Sequence, residues 1–172
     1  ILSIIVSKKK NLISDNIVGV KAITVIENRW ARPDIKTTQL LPNVLAKTQA
    51  NKNNAYEAIF IDAQGYVTEG SSSNIWILND KNEILTRNLD GKILSGITRK
   101  SISKFANLNN YKVLEKKFTN EEMQNAKEVF LTSASSFVTP IVEIDNIEIQ
   151  DGMVGQMTIN LRKLYFKNFK SK

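Results

Sequence analysis

The stretch TEGSSSN, residues 68–74, decides how the middle of the chain folds. It follows YEAIFID, residues 56–62, whose aromatic and β-branched residues are typical of a strand. A Gln-Gly pair between the two stretches is typical of a tight turn, so the sequence predicts a hairpin that ends at Glu69. The three serines that follow predict a turn into a further strand at residues 74–78.

Outward from this hairpin, apolar residues alternate in some segments and recur at helical spacing in others. Alternation predicts strands, whereas a repeat of three or four residues predicts helices. Strands are expected at residues 19–27, 83–86, 112–118, 128–132 and 138–145, and helices at residues 41–51, 98–107, 120–126 and 154–169. Hairpins combined with separate helices predict an α+β fold.

The composition is that of a globular domain with a basic surface. With 172 residues, of which 42% are hydrophobic, the chain is long enough to bury one core. The net charge is +7, but lysines cluster only at residues 8–10 and near the end of the chain, so no nucleic-acid partner is expected. No apolar run approaches the ~20 residues that cross a bilayer, so no membrane partner is expected either.

The chain contains neither cysteine nor histidine. Without cysteine, a disulfide framework and a thiolate zinc site are both excluded, and no metal is expected. A reducing compartment, the cytoplasm, is the expected location. The chain also begins at Ile1 with an apolar run and without Met, which we interpret as truncation of a longer protein.

Lys36 is the first candidate for chemistry, within ARPDIKTTQLLPNVLAK, residues 31–47. Most lysines are solvated surface charges, and that interpretation applies to Lys36 too. A lysine that forms a Schiff base needs a desolvated amine or a neighbouring cation. The apolar residues Ile35, Leu40 and Leu41 near Lys36 predict its partial burial.

Glu69 is the second candidate, and two interpretations of it are open. It is either an exposed glutamate before a flexible serine turn or a buried carboxylate that faces a pyridinium nitrogen. In the second case it would hold the ring protonated, and a protonated ring is the electron sink for a carbanion at the substrate α-carbon.

Two hydroxyl-rich stretches are candidates for binding a phosphate. In LSGITR, residues 94–99, a glycine precedes a helix start, where free N–H groups attract anions, although a plain Ser/Thr N-cap explains the residues equally well. In LTSASS, residues 131–136, small residues allow the backbone to approach a ligand closely. An ordinary turn would have the same composition.

In this order, the motifs DIK, TEGSSSN, GITR, TSASS and VTPIVEID resemble the fold-type IV pyridoxal-phosphate aminotransferases over essentially the whole chain. TEGSSSN together with LPNVLAK resembles the D-amino-acid transaminases among them. The resemblance implies the C-terminal domain of that fold, a mixed and antiparallel β pseudobarrel surrounded by helices. It also implies pyridoxal 5'-phosphate as the cofactor.

The resemblance further implies a role for each motif residue. Lys36 matches the lysine that binds the cofactor covalently and moves the proton at the substrate α-carbon. Glu69 matches the carboxylate on the ring nitrogen, and Leu94 matches a residue that packs against the ring. The residues that match phosphate ligands are Ile97, Thr98, Ser133 and Ala134.

The sequence departs from the family pattern in two places. At Ala134 the family often has a threonine, and the lost hydrogen bond would cost about 1.5–3 kcal/mol of cofactor binding unless Ser135 compensates. The N-terminal domain, which supplies the groups that bind the substrate carboxylate, is missing, so no substrate-binding residue is assigned. We therefore assign residues 1–20 to a remnant of that domain with the interdomain segment, and residues 21–172 to the cofactor-binding domain.

The implied function is transamination between a D-amino acid such as D-alanine and a 2-oxo acid, incomplete in this chain alone. Three alternatives stay open: a non-catalytic remnant, one half of a split enzyme with a separate N-terminal-domain chain, and a branched-chain aminotransferase or aminodeoxychorismate lyase. Family members are usually homodimers, so self-association is expected.

Overall fold

A computed structural model describes residues 17–169 of the chain. Its strands are β1 (Val20–Ile26), β2 (Glu57–Ile61), β3 (Val67–Gly70), β4 (Asn74–Leu78), β5 (Ile84–Thr86), β6 (Val113–Glu115), β7 (Glu128–Ser133), β8 (Phe137–Ile144) and β9 (Ile147–Glu148). Its helices are α1 (Leu41–Lys52), α2 (Ile97–Leu108), α3 (Asn120–Gln124) and α4 (Gln156–Phe169). Most of the predicted remnant, residues 1–16, lies outside the described residues, so the division of the chain at residue 20 stays a prediction.

The strands form one sheet that curls until its two edges meet. Their order is β3-β2-β1-β8-β7-β4-β5-β6, and β9 pairs with β8. Strand β1 is parallel to β2 and β8, and β5 is parallel to β6, whereas the other pairs are antiparallel. The Val67 amide of β3 donates to the Phe118 carbonyl beyond β6 at 3.0 Å, and Tyr66 bridges to Thr119. These contacts confirm the expected mixed pseudobarrel with surrounding helices.

Strand β4 shows how the sheet separates two cores. On one face of the sheet, Ile75 and Ile77 belong to a buried cluster that also contains Val67 of the edge strand β3. Trp76 and Leu78 belong to the cluster under α2 and α4. Because successive side chains point to opposite faces and both faces are covered, every residue of β4 is buried.

Helix α1 packs on the sheet through small residues. Ala46 and Ala50 lie in a third buried cluster with side chains of β2. The apolar residues Leu41, Val44 and Leu45, whose spacing predicts this helix, are 55–68% exposed. The helix is therefore confirmed, but its larger apolar face, here called the α1 face, points away from the sheet.

The other predicted strands and helices agree with the structure to within three residues at each end. Strand β9, only two residues long, was not predicted. No local sequence pattern predicts that β1 pairs in parallel with β2 and β8, which are distant from it in sequence. Within residues 17–169, no helix combines the length and the hydropathy needed to cross a membrane.

Candidate functional site

Glu69, near the end of β3, is a buried carboxylate surrounded by donors. It is 6% exposed. Its Oε1 accepts a hydrogen bond from the Arg29 guanidinium, and its Oε2 accepts from Asn74 Nδ2 at 3.1 Å and from the Leu94 amide at 2.9 Å. Asn74 Nδ2 also donates to the Leu94 carbonyl at 2.9 Å. The interpretation of Glu69 as an exposed residue before a flexible turn is therefore wrong.

Arg29 is the residue of this site that the sequence reasoning missed. Its side chain is 4% exposed and lies 4.6 Å from the centroid of the Phe60 ring. Besides Glu69, it binds Glu27 with two parallel bonds, Nε to Oε1 at 2.9 Å and Nη2 to Oε2 at 2.5 Å. Thr68 Oγ1 donates to Glu27 Oε2 at 2.7 Å. An arginine is unremarkable in a basic sequence, so only the pairing of β1, β2 and β3 reveals this network.

One guanidinium thus lies between two carboxylates with different protonation behaviour. Burial raises the pKa of Glu69 to about 7, although Arg29 and the Leu94 amide favour its charged form. Burial also acts to raise the pKa of Glu27, but Arg29 and Thr68 outweigh it and lower that pKa. Because its pKa lies near neutrality, Glu69 would respond strongly to an additional cation placed beside it.

The raised pKa predicts how Glu69 affects stability. The pKa of a glutamate is near 4.5 in the unfolded chain, whereas that of the folded Glu69 is about 7. The contribution of Glu69 to the free energy of unfolding is therefore fully present below pH 4.5 and is lost as the pH rises through 7. Glu69→Gln does not titrate there. We expect the free energy of unfolding of the variant, relative to the parent, to rise by about 3 kcal/mol across this range, because each pKa unit corresponds to about 1.4 kcal/mol. Urea unfolding of the cofactor-free chain at several pH values measures it.

The exposed Glu121→Gln is the matched control for that experiment, since the same chemical change at a solvated position should leave a nearly constant difference. A constant difference for Glu69→Gln itself would mean that Glu69 titrates as an ordinary carboxyl group.

The N-terminus of α2 lies beside Glu69. Gly96 is its N-cap, no side chain among residues 17–169 caps it, and a Cβ on Gly96 would lie 2.4 Å from Asn74 Oδ1. Ile97 is exposed at the first helical position, whereas the hydroxyls of Ser95 and Thr98 are buried without a partner among the residues described. The interpretation of this stretch as a plain Ser/Thr N-cap is therefore wrong. Unpaired hydroxyls and free N–H groups at a helix start suit an anion.

Ser133, the last residue of β7, and Ala134 lie at the same end of the strands as Asn74. Asn74 of β4 pairs with Thr132 of β7, and Ser133 is the next residue along β7. Ser133 Oγ accepts a hydrogen bond from the Ser136 amide at 3.0 Å, and Ala134 is exposed. Both interpretations of this turn, a plain turn and one side of a phosphate site, agree with this geometry.

Lys36 lies in the irregular segment between β1 and α1, and its side chain is exposed. The apolar residues near it, Ile35, Leu40 and Leu41, are 44%, 48% and 68% exposed. The expected partial burial is therefore wrong for the described chain. The physical reason is that α1 packs on the sheet through alanines, and no other described element covers this side of it.

Two contacts nevertheless attach the segment around Lys36 to the Glu69 region. On one side Arg29 binds Glu69, and on the other side Asn43 Nδ2 of α1 donates to the Ser71 carbonyl at 2.9 Å. The fold therefore brings the chain before and after Lys36 to the same stretch, residues 69–71.

These residues fit pyridoxal phosphate, the cofactor that the resemblance implies. A carboxylate offers about four acceptor positions, and the described donors to Glu69 are Arg29, Asn74 and Leu94. One position is thus left for a ring N–H. The unpaired hydroxyls at the start of α2 suit the phosphate.

Comparison with known sequences gives a consistent result. A model of the class IV amino-transferase family matches residues 4–144. The D-alanine aminotransferase of Staphylococcus aureus strain N315 is 44% identical over 153 residues, which are 89% of this chain and 54% of that protein. The D-alanine aminotransferase of Bacillus licheniformis is 42% identical over 144 residues, 84% of this chain and 50% of that protein. The chain spans about half the length of the curated relatives it matches.

Solved structures share the fold. The branched-chain amino acid aminotransferase of Thermobaculum terrenum, solved in its PLP form, matches with a TM-score of 0.83 and 26% identity over 90% of this chain and 52% of that one. The branched-chain amino acid aminotransferase of Escherichia coli matches with a TM-score of 0.80 and 28% identity over 88% of this chain and 52% of that one.

Proposed function

The chain belongs to the class IV aminotransferases. We propose that it forms the cofactor-binding part of an enzyme that transfers an amino group between an amino acid and a 2-oxo acid. The observation that supports this most is the environment of Glu69, a buried carboxylate beside a helix start where two hydroxyls have no partner in the described part of the chain. Pyridoxal phosphate, when bound, supplies a protonated ring that withdraws electrons from the substrate α-carbon.

Each residue of the site has a distinct role in this proposal. Glu69 holds the proton on the ring nitrogen, and Arg29 holds Glu69 in place and favours its charged form. Leu94, whose backbone binds Glu69 and Asn74, packs against the ring. The phosphate is bound at the start of α2 by Ile97 and Thr98, and at the turn after β7 by Ser133 and Ala134.

Lys36 is the proposed catalytic residue, since its Nζ would attach the cofactor and move the proton at the substrate α-carbon. An amine that acts this way needs a desolvated setting, whereas Lys36 is exposed here. We propose that the part of the aminotransferase not represented in this chain supplies that setting by covering the α1 face. An open groove of about 650 Å³, lined by Ile26, Leu45 and Phe60 among others, lies beside that face and is large enough for a few side chains of such a partner.

We propose a D-amino acid such as D-alanine as the amino donor and a 2-oxo acid as the acceptor. The support is the 42–44% identity to D-alanine aminotransferases together with the motif TEGSSSN. A branched-chain amino acid is the second candidate, because the solved structures quoted above are branched-chain aminotransferases. Assays with D-alanine, L-leucine and aminodeoxychorismate side by side would rank these activities.

Cofactor binding by the 172-residue chain, mixed with the part of the Staphylococcus aureus relative that it does not match, is the first test. We expect titration with pyridoxal phosphate to produce a visible absorption band, and borohydride reduction to leave a phosphopyridoxyl group on Lys36, located by peptide mass spectrometry. Labelling spread over many exposed lysines, with no preference for Lys36, would contradict the proposal.

Transamination itself is tested by complementation. The part of the Staphylococcus aureus relative that this chain does not match would be expressed separately and mixed with this chain, giving what is here called the two-part enzyme. Activity that appears only in the mixture supports one half of a split enzyme. Activity of this chain without the other part excludes a non-catalytic remnant. Cofactor binding without turnover, with or without the other part, favours the remnant. A cytoplasmic location and a homodimer stay predictions.

A further inference from the structure

Glu57 is a buried carboxylate outside the set of residues described so far. It is the first residue of β2 and is 1% exposed. Its Oε1 accepts from the amides of Ala58 at 2.9 Å and Ser71 at 3.2 Å, and from Ser71 Oγ at 2.5 Å. Its Oε2 accepts from Ser73 Oγ at 2.8 Å. Because every one of these groups donates, the arrangement suits the ionised carboxylate, which only accepts.

The described cation nearest to Glu57 contributes little. Lys47 Nζ lies 3.9 Å from Glu57 Oε1, but its side chain is 35% exposed and also donates to the Tyr56 carbonyl. A pair at that distance and exposure is weak. Glu57 is therefore stabilised chiefly by hydrogen bonds from the segment Gly70–Ser73, which passes directly over it.

The segment 70–73 is closely fitted to Glu57. The Gly70 amide donates to the Ser73 carbonyl at 2.7 Å, which closes a turn. A Cβ on Gly70 would lie 2.2 Å from Ser73 Oγ and 3.1 Å from Glu57 Cδ, so no larger residue fits there. A buried charge with several donors fixes such a turn more firmly than neutral groups do, since charge-assisted bonds are the stronger ones.

This turn connects the two side chains that line the proposed ring site. Glu69 precedes it and Asn74 follows it, and both bind the backbone of Leu94. The turn also binds α1, because the Ser71 carbonyl accepts from Asn43. A shift of the turn would therefore move Glu69, Asn74 and the start of α1 together.

We propose that Glu57 is a positioning residue, which fixes the turn 70–73 through Ser71 and Ser73 and thereby sets the place of Glu69 beside Leu94. This inference rests on the proposed function for its meaning in catalysis. Its structural part can be tested without cofactor, because the hydrogen bond from the Leu94 amide to Glu69 is a local reporter.

The test compares four variants: Glu57→Ala, Glu57→Gln, Ser73→Ala and Ser72→Ala. Ser72 is exposed and adjacent to Ser73, so its substitution is the matched control. In the cofactor-free chain we expect at least tenfold faster hydrogen exchange of the Leu94 and Gly70 amides in Glu57→Ala and Ser73→Ala. Glu57→Gln should restore part of the protection, because its amide oxygen still accepts from Ser71, and Ser72→Ala should match the parent.

Cofactor titration of the same variants in the two-part enzyme separates the positioning role of Glu57 from the proposed function. We expect about tenfold weaker pyridoxal phosphate binding in Ser73→Ala and no change in Ser72→Ala. If no variant, including the parent, binds the cofactor while exchange still responds as stated, the proposed function fails and the positioning role stands. Equal exchange rates in Ser73→Ala and Ser72→Ala would overturn the positioning role, and this comparison remains valid even where Glu57→Ala does not fold.

Discussion

Lys36→Ala is expected to lower transamination by the two-part enzyme at least a thousandfold, because it removes both the amine that attaches the cofactor and the base at the substrate α-carbon. Positioned acid-base groups alone contribute about 10²–10⁴-fold. The visible band on cofactor addition should disappear in the same variant, whereas the free energy of unfolding should stay within about 0.5 kcal/mol of the parent, as is usual for exposed side chains. Steady-state kinetics, the absorption spectrum and urea unfolding measure the three effects.

Lys104→Ala is the control for this prediction. Lys104 is an exposed lysine on α2, so its substitution removes the same charge from the surface without touching the proposed site. Equal activities of the two variants would show that Lys36 is one more solvated lysine, which is the alternative left open by the sequence.

Glu69→Gln is the second substitution with a large expected effect on the reaction. The amide keeps the shape of the side chain but cannot carry the charge that holds a proton on a ring nitrogen. A hydrogen bond to a charged group contributes about 1.5–3 kcal/mol, so we expect kcat to fall about 10- to 100-fold. Because the loss concerns the charge and not substrate contacts, KM for the amino donor should change little.

The pH profile distinguishes this electronic role from a structural one. Since the pKa of Glu69 is raised to about 7 in the cofactor-free chain, the carboxyl must lose its proton before it can hold a ring N–H. The affinity of the parent for pyridoxal phosphate should therefore increase as the pH rises through 7, and Glu69→Gln should lack this step. Glu121→Gln, on the surface of α3, should keep it. A parent profile identical to that of Glu69→Gln would contradict the role assigned to the carboxylate.

Local sequence patterns were reliable where neighbours in sequence decide the structure. The alternation in YEAIFID and the turn after it depend on adjacent residues, and the hairpin of β2 and β3 forms as expected. The spacing of Leu41, Val44 and Leu45 depends on the period of a helix, so α1 was found, yet the same pattern gave no sign of which face would meet the sheet.

The contacts within the site were harder to predict from the sequence, because they join residues that are far apart in the chain. Arg29 and Glu69 are 40 residues apart, and their contact follows from the parallel pairing of β1 with β2 and the hairpin to β3. Glu57 is 16 residues from Ser73, and nothing in YEAIFID marks its carboxylate as buried.

Residue types and short-range spacing were sufficient to predict the order of the motifs, the family they indicate and the approximate bounds of the helices and strands. Only the tertiary structure decided that Glu69 is buried between donors, that its pKa is raised, and that Lys36 lies on an exposed segment. Burial and hydrogen-bond partners are properties of the packed chain, in which desolvation and nearby charges set protonation, and no short stretch of sequence encodes them.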